Sequence, residues 1–132
     1  MKNAEKLTEK ECIRYHRELW NWLAENPEKQ KTDWPGFKNF HYGITSHCFA
    51  CQYVANNSMV CYDSKNCLFV WRNPLGCMQD GAEFAIWDDY NDELLFNIVN
   101  KGSEEFRIVC EMKTKLARKI RDLPLRKEVY DE

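Results

Sequence analysis

The cysteines of this chain are concentrated in one segment, and this clustering constrains the fold more than any other feature of the sequence. Of seven cysteines, five lie within residues 48–77, beginning with two that are separated by two residues. Two sulfurs at that spacing in a tight turn can reach one metal ion, and zinc binds four soft ligands in a tetrahedron. The segment therefore predicts one structural zinc site. Its five candidate ligands are Cys48, Cys51, Cys61, Cys67 and Cys77.

Zinc needs four of the five candidates, and the sequence favours Cys48, Cys51, Cys67 and Cys77. Cys48 and Cys51 form the close pair, and Cys67 directly precedes an apolar run that would hold it rigidly. The fourth ligand is either Cys77 or Cys61. Five residues that include polar turn formers separate Cys61 from Cys67, so these two cannot form a compact knuckle, and we favour Cys77.

Other interpretations of the cysteines remain open. They could be ordinary buried cysteines, and Cys12 and Cys110, on helical stripes, fit that description. An iron–sulfur cluster also uses four cysteines. A redox pair at Cys48 and Cys51 fits less well, because no strand-then-helix pattern surrounds it. His47 could replace a cysteine, but adjacent side chains point apart, so we expect it to be an exposed imidazole.

The chain length, the apolar runs and the cysteine count favour one domain, residues 1–132, in a reducing cytoplasm. The first residues lack the apolar stretch of a secretory signal, and no apolar run is long enough to span a bilayer. Seven cysteines, an odd number, are not expected to form a disulfide framework there. The formal net charge of −2 differs from the strongly basic character that is typical of duplex-binding domains.

Helices are predicted near both ends of the chain. Thr8 and Glu11 have the spacing of a capping box, and Asn26-Pro27 ends the first helix. Ser103 caps the last helix, which Leu123-Pro124 ends. The apolar stripe of the first helix contains Cys12, His16, Leu19, Trp20 and Leu23, and that of the last contains Phe106, Val109, Cys110, Leu116, Ala117 and Ile120, with Lys113 among them.

The predicted fold class is α+β, with terminal helices packed around a zinc knuckle that has short strands. The β-prone pieces are residues 60–62 and 68–71. The aromatic segment 34–42 is expected to pack over the first helix. Residues 82–99 are expected to form helical turns on either side of an acidic interruption at residues 88–93.

The sequence contains little that indicates catalysis, and we expect a protein that is not an enzyme. It has no metalloprotease, phosphate-loop or dinucleotide motif. An all-cysteine zinc site is usually closed and structural. His16 lies on the first helical stripe and His41 lies between aromatic residues, so both are interpreted as packed histidines.

Two charged segments are candidate contact surfaces. The acidic run Asp88, Asp89, Asp92 and Glu93 is either a solvated turn or a docking face for a basic groove in another protein. The basic part of the last helix, Lys113 to Arg121, is the alternative surface and could contact nucleic acid.

These motifs together resemble a group of small cysteine-rich proteins carried by phages and prophages of Firmicutes. The likeness rests on the sequences of residues 15–22, 48–53, 67–71 and 116–124, with Cys77 and Trp87 between them. Members of the group usually have a close cysteine pair followed by proline in the second half. Here Leu68 replaces that proline and Cys61 is distant from Cys67, which weakens Cys61 as a ligand.

The resemblance implies a function in phage defence evasion. Some small zinc-containing phage proteins of this kind are anti-CRISPR inhibitors of Cas9, so the expected function is non-enzymatic binding and inhibition of Cas9 in the host cytoplasm. The expected protein is a monomer with one structural Zn²⁺ and no membrane association. The alternative is a zinc-dependent accessory protein that binds nucleic acid directly.

Overall fold

The computed structural model describes residues 1–41, 43–59, 66–73, 75–96 and 99–129. This part of the chain contains five α-helices and a two-stranded parallel sheet, so it is mainly helical and α+β only in a loose sense. None of the described helices combines the length and apolarity needed to cross a bilayer. In chain order the elements are β1 Lys2–Asn3, α1 Glu9–Glu25, β2 Phe40–His41, α2 Phe49–Asn56, α3 Glu83–Leu95, α4 Glu104–Arg121 and α5 Arg126–Val129.

Helix α1 begins and ends where its sequence predicts. The Thr8 hydroxyl accepts a hydrogen bond from the Glu11 N–H (3.2 Å), and the Glu11 carboxylate accepts one from the Thr8 N–H (3.1 Å). This capping box satisfies two N–H groups that a helix start leaves unpaired. The predicted stripe is buried in full, and its members are Cys12, His16, Leu19, Trp20 and Leu23.

The terminal helices pack together, as predicted. Helix α4 lies against both α1 and α3, and the Ser103 hydroxyl caps it by accepting from the Phe106 N–H (3.1 Å). Polar contacts add to the apolar interface between α4 and α1. The Thr114 hydroxyl donates to the Ala24 carbonyl (3.1 Å), and Arg121 donates to the Asn21 side chain (2.8 Å).

The predicted strand at residues 68–71 is wrong in its extent. Phe69 forms an isolated antiparallel bridge with Leu125, flanked by hydrogen bonds from the Val70 N–H to the Pro124 carbonyl (3.0 Å) and from the Arg126 N–H to the Leu68 carbonyl (2.8 Å). The predicted strand at residues 60–62 lies outside the described residues.

The observed sheet lies elsewhere in the chain and was not predicted. Strand β1 pairs in parallel with β2, Lys2 opposite Phe40 and Asn3 opposite His41. A strand of two residues has no alternating pattern from which it could be recognised, since alternation becomes readable only over about four residues or more.

The predicted acidic interruption at residues 88–93 is also wrong, because these residues are an uninterrupted part of α3. Trp87 and Asn91, four residues apart, are buried on the inner face of the helix. The carboxylates between and after them occupy the outer side of the same turns. Charged residues therefore do not break the helix, since the inward positions keep helical spacing through the run.

The aromatic segment packs against α1 and α2, in agreement with the prediction of a packed rather than solvated connection. Phe40 meets Tyr15 of α1 edge to face, with centroids 5.2 Å apart. Trp34 and Phe37 surround Phe49 of α2, with centroid separations of 5.7 and 5.9 Å. Tyr42, which was assigned to the same packing, lies outside the described residues.

Lys113 is buried at the interface of α3 and α4, with none of its surface exposed. Its ammonium donates to the Asn91 side-chain oxygen (2.8 Å) and the Lys29 carbonyl (3.1 Å), and lies 4.8 Å from the centre of the Trp87 ring. Burial lowers the pKa of Lys113 to about 8, because desolvation penalises the charged form. Its predicted place on the helical stripe is therefore confirmed, and its assignment to the basic contact surface of the last helix is wrong.

Lys113→Met is expected to remove a rise of stability with pH between about pH 8 and pH 10.5. In this window the unfolded chain, with an ordinary lysine pKa of 10.5, binds more protons than the folded chain, whose Lys113 pKa is about 8. Folding therefore becomes more favourable as pH rises. Urea unfolding across this range measures the slope. Lys115→Met, exposed on the same helix, is the control and should keep it. Equal slopes in all three proteins would contradict the prediction.

Candidate metal centre

A cavity of about 340 Å³ is lined by residues of α1, α2 and α3, by Trp71 and by residues 75–79. Three of the predicted zinc ligands line it, namely Cys48, Cys51 and Cys77. The rest of its wall includes the aromatic residues Trp20, Trp71 and Phe84. Cysteines that are separated by up to 29 positions in the sequence thus line one partly open cavity.

The close pair lies at the start of α2. Cys48 is the N-cap residue, and its sulfur accepts a hydrogen bond from the Cys51 N–H (3.3 Å). Gln52 braces the preceding turn by accepting from the backbone N–H of Thr45 (2.9 Å) and from its hydroxyl (3.0 Å). Because Cys51 is in the first helical turn, the local fold holds both sulfurs at the same helix end.

The surroundings of Cys48 favour its thiolate. A hydrogen bond from the Cys51 side chain lowers the pKa of Cys48 to about 6, and the positive charge of Lys31 and backbone N–H groups act in the same direction. Burial opposes them by disfavouring the charged form. The thiolate is the form that binds a metal ion, so this end of α2 is chemically suited to zinc.

The other predicted ligands are placed differently. Cys67 is buried beside the cavity but is not among the described residues that line it, and its sulfur accepts a hydrogen bond from the Trp71 indole N–H (3.4 Å). Cys77 is half-buried on the loop that covers the cavity. Cys61, the alternative fourth ligand, lies outside the described residues. Within the described ranges, no three His, Cys, Asp or Glu side chains stand at metal-binding distance.

The histidines divide into one buried and two exposed. His16 is 2% exposed, lines the cavity and stacks on Phe69, with ring centroids 3.9 Å apart. His47 is exposed, as predicted, whereas His41 is also exposed, so its predicted packed position is wrong. Sequence reasoning recognised His16 as packed but missed its place on the cavity wall.

The two remaining described cysteines, Cys12 and Cys110, do not line the cavity. Cys12 is fully buried in the α1 stripe, and burial raises its pKa to about 12. Cys110 is partly buried on α4, and burial raises its pKa as well. A raised thiol pKa disfavours the metal-binding thiolate, in keeping with the structural role predicted for both residues.

The outer side of α3 carries a row of carboxylates. Asp88, Asp89, Asp92 and Glu93 form no ion pair with another described residue. Partial burial raises the pKa of Asp88, and repulsion by Asp92 and Asp89 adds to the effect. The positive charge of Lys31 acts in the opposite direction on Asp88, and like charges one helical turn apart destabilise a helix slightly.

A second charged surface lies along α1. A shallow groove is lined by Lys10, Arg14, Arg17 and Arg121, with Glu18 at its edge. Glu18 is 3.7 Å from Arg14, and Asp122 is 2.8 Å from Arg121, so the positive charge is partly compensated. The groove differs from the surface predicted on the last helix, because Arg121 is its one contribution from α4 among the described residues.

Comparisons of the chain with protein-family models, with curated proteins and with solved structures find no match. The chemistry of the centre must therefore be argued from its own residues. They offer two sulfurs fixed at a helix start, a third sulfur and an imidazole on the same cavity wall, and aromatic side chains around them. Thiolate and imidazole are donor types that soft metal ions prefer, but within the described ranges these donors do not stand at metal-binding distance from one another.

Proposed function

We propose that this chain is a zinc-binding protein that inhibits Cas9 by occupying it, without catalysing a reaction. The observation that carries the zinc part of the proposal is the gathering of Cys48, Cys51 and Cys77 around one cavity. Thiolates from these residues would hold the ion together with Cys67, the remaining member of the ligand set that the sequence favours. Zinc would cross-link α2 to the loop at residues 75–79 and so stabilise the fold.

The row of carboxylates on α3 supports binding as the mode of action. Cas9 holds its RNA–DNA duplex in a positively charged channel, which recognises backbone charge rather than base sequence. Asp88, Asp89, Asp92 and Glu93 present negative charge along one helix side, and they have no ionic partner in the described part of the chain. Their charge would be compensated in the complex, and long-range attraction would speed the encounter.

Reversing these four carboxylates to lysine is expected to weaken inhibition of purified Cas9. The association rate should fall about tenfold or more, because exposed charges steer encounter. Raised salt should mimic the loss in the unaltered protein, since screening shortens the range of exposed charges to about 10 Å at 0.1 M salt. Surface plasmon resonance measures both rates, and titration of Cas9 cleavage activity should show inhibition complete at about one inhibitor per enzyme.

The matched control is a variant with the same change of net charge at exposed positions outside α3. Glu5, Glu25, Glu105 and Glu128 are exposed and lie outside α3, so their joint reversal to lysine should leave association close to that of the unaltered protein. If both variants lose binding equally, net charge rather than the α3 face is responsible. Unchanged inhibition by the α3 variant would exclude this face.

A second candidate function, direct binding of nucleic acid, is favoured by the groove along α1. Lys10, Arg14, Arg17 and Arg121 could contact backbone phosphates, which dominate non-specific affinity. One binding comparison with purified Cas9 and purified nucleic acid distinguishes the two candidate functions. Binding to Cas9 with no binding to DNA or RNA at physiological salt supports the inhibitor. Binding to nucleic acid that Lys10 and Arg17 substitutions abolish, with none to Cas9, supports the accessory protein.

A further inference from the structure

We infer that His16, rather than Cys67, completes the zinc site, giving a ligand set of Cys48, Cys51, Cys77 and His16. The inference rests on the zinc site proposed above and specifies its fourth ligand. All four residues line the same cavity, two from the start of α2, one from the covering loop and one from α1. Three thiolates and one imidazole form one of the usual closed sites for structural zinc.

The hydrogen bond of His16 prepares its ring for this role. Nε2 lies 2.8 Å from the backbone oxygen of Ile120. A carbonyl oxygen can only accept, so Nε2 carries the proton and Nδ1 keeps its lone pair. Histidines that bind metals usually donate their other ring N–H to a carbonyl or carboxylate in this way, which fixes the tautomer and orients the ring.

The buried position of His16 also suits a ligand. Its ring is held on the other side by stacking on Phe69, with centroids 3.9 Å apart. With 2% of its surface exposed, the ring is fixed in place on the cavity wall.

Cys67 is less able to reach an ion in the cavity. Its carbonyl accepts from the Arg126 side chain (3.1 Å), and the adjoining Leu68 and Val70 are hydrogen bonded to the segment around Pro124. The Trp71 indole, which itself lines the cavity, donates to the Cys67 sulfur. The backbone hydrogen bonds fix the Cys67 backbone outside the cavity lining, and turning the sulfur towards the cavity would break its contact with the Trp71 indole, whereas His16 is already on the wall.

The covering loop must close for the site to assemble, because the four donors stand around the cavity and not yet at bonding distance. Cys77 is flanked on this loop by Leu75 and Met78, which are 68% and 63% exposed although both also line the cavity. Gly76 has a φ of 130°, a conformation that other residues rarely adopt. Closure would carry Cys77 towards the pair on α2 and remove exposed apolar surface from water.

X-ray absorption at the zinc edge of the purified full-length protein tests the ligand set directly. We expect three sulfurs and one nitrogen in the first coordination sphere. Four sulfurs would overturn the inference while leaving the proposed zinc site intact. A protein that takes up no zinc when refolded with Zn²⁺ would overturn the zinc site itself, so the two failures are distinguishable.

Variants give an independent test. Removing a residue that hydrogen bonds to a metal ligand typically lowers metal affinity about 10–100-fold. Removing a ligand itself should lower it by at least as much. His16→Ala should therefore lower Zn²⁺ affinity by at least 100-fold in chelator competition, and Cys67→Ser should leave it within a few-fold of the unaltered protein. His16→Cys should restore binding, with four sulfurs by absorption. Loss of zinc in Cys67→Ser together with retention in His16→Ala would overturn the inference.

Discussion

Cys48→Ser and Cys51→Ser are each expected to leave the purified protein without zinc and to lower its melting temperature by about 10 °C or more. A closed site needs every ligand, and structural zinc contributes its binding free energy to folding. A loss of about 3 kcal/mol or more, small beside the apparent binding free energy of structural zinc, corresponds to such a shift for a domain of this size. Elemental analysis measures the metal and calorimetry measures the melting temperature.

Cysteines away from the cavity provide the controls for this result. Cys110→Ser on α4 is expected to keep one zinc per chain, because Cys110 is not among the described residues that line the cavity. Cys77→Ser should lose zinc and Cys61→Ser should keep it, since only one of the two is a ligand and Cys77 is the favoured one. Zinc content that is unchanged in Cys48→Ser, or iron in place of zinc in the unaltered protein, would refute the proposed site.

Trp87→Ala is expected to destabilise the protein by about 3–5 kcal/mol, the usual cost of removing a large buried aromatic side chain. Trp87 is 1% exposed and meets Trp20 edge to face, with centroids 5.0 Å apart. It also lies under the ammonium of Lys113. Its truncation would open a cavity where α1, α3 and α4 meet and leave the buried Lys113 without its aromatic contact. Urea unfolding monitored by far-UV circular dichroism measures the change.

Trp87→Phe is the matched control, because it keeps an aromatic ring and removes the indole N–H. The indole Nε1 of Trp87 is buried without a hydrogen-bond partner among the residues that the structure describes. Leaving such a donor unpaired carries a desolvation cost of about 1–3 kcal/mol. Phenylalanine removes this cost and loses part of the packing, so it should destabilise far less than alanine. Equal losses in the two variants would show that the ring is not what stabilises this junction.

The helices at the two ends could be predicted closely because their signals are local. Thr8 and Glu11 mark the start of α1, Ser103 marks the start of α4, and helical spacing identifies the buried stripes of both. Such signals depend on hydrogen bonds and side chains within a few residues of one another. Helix α3 was recognised only in part, because its run of carboxylates was given more weight than the continuing spacing of Trp87 and Asn91.

The clustering of possible sulfur donors is visible in the sequence, whereas their placement around the cavity is not. Sequence spacing identified Cys48 and Cys51 as a pair, and the structure holds them at one helix start through the N–H of Cys51. Whether Cys67 or Cys77 approaches that pair depends on how the intervening loop is routed. The structure brings Cys77 to the cavity and leaves Cys67 behind Trp71.

The sequence by itself determined the two terminal helices, their buried faces, the packed aromatic segment and the clustering of sulfur donors. Only the tertiary structure decided which groups partner the buried Lys113, that Phe69 pairs with Leu125 and that His16 joins the cysteines on one cavity wall. Each of these depends on contacts between distant parts of the chain, such as the hydrogen bond between His16 and Ile120, 104 positions apart. Propensity and spacing describe a residue's neighbours along the chain, whereas burial and ligand geometry depend on which segments the fold brings together.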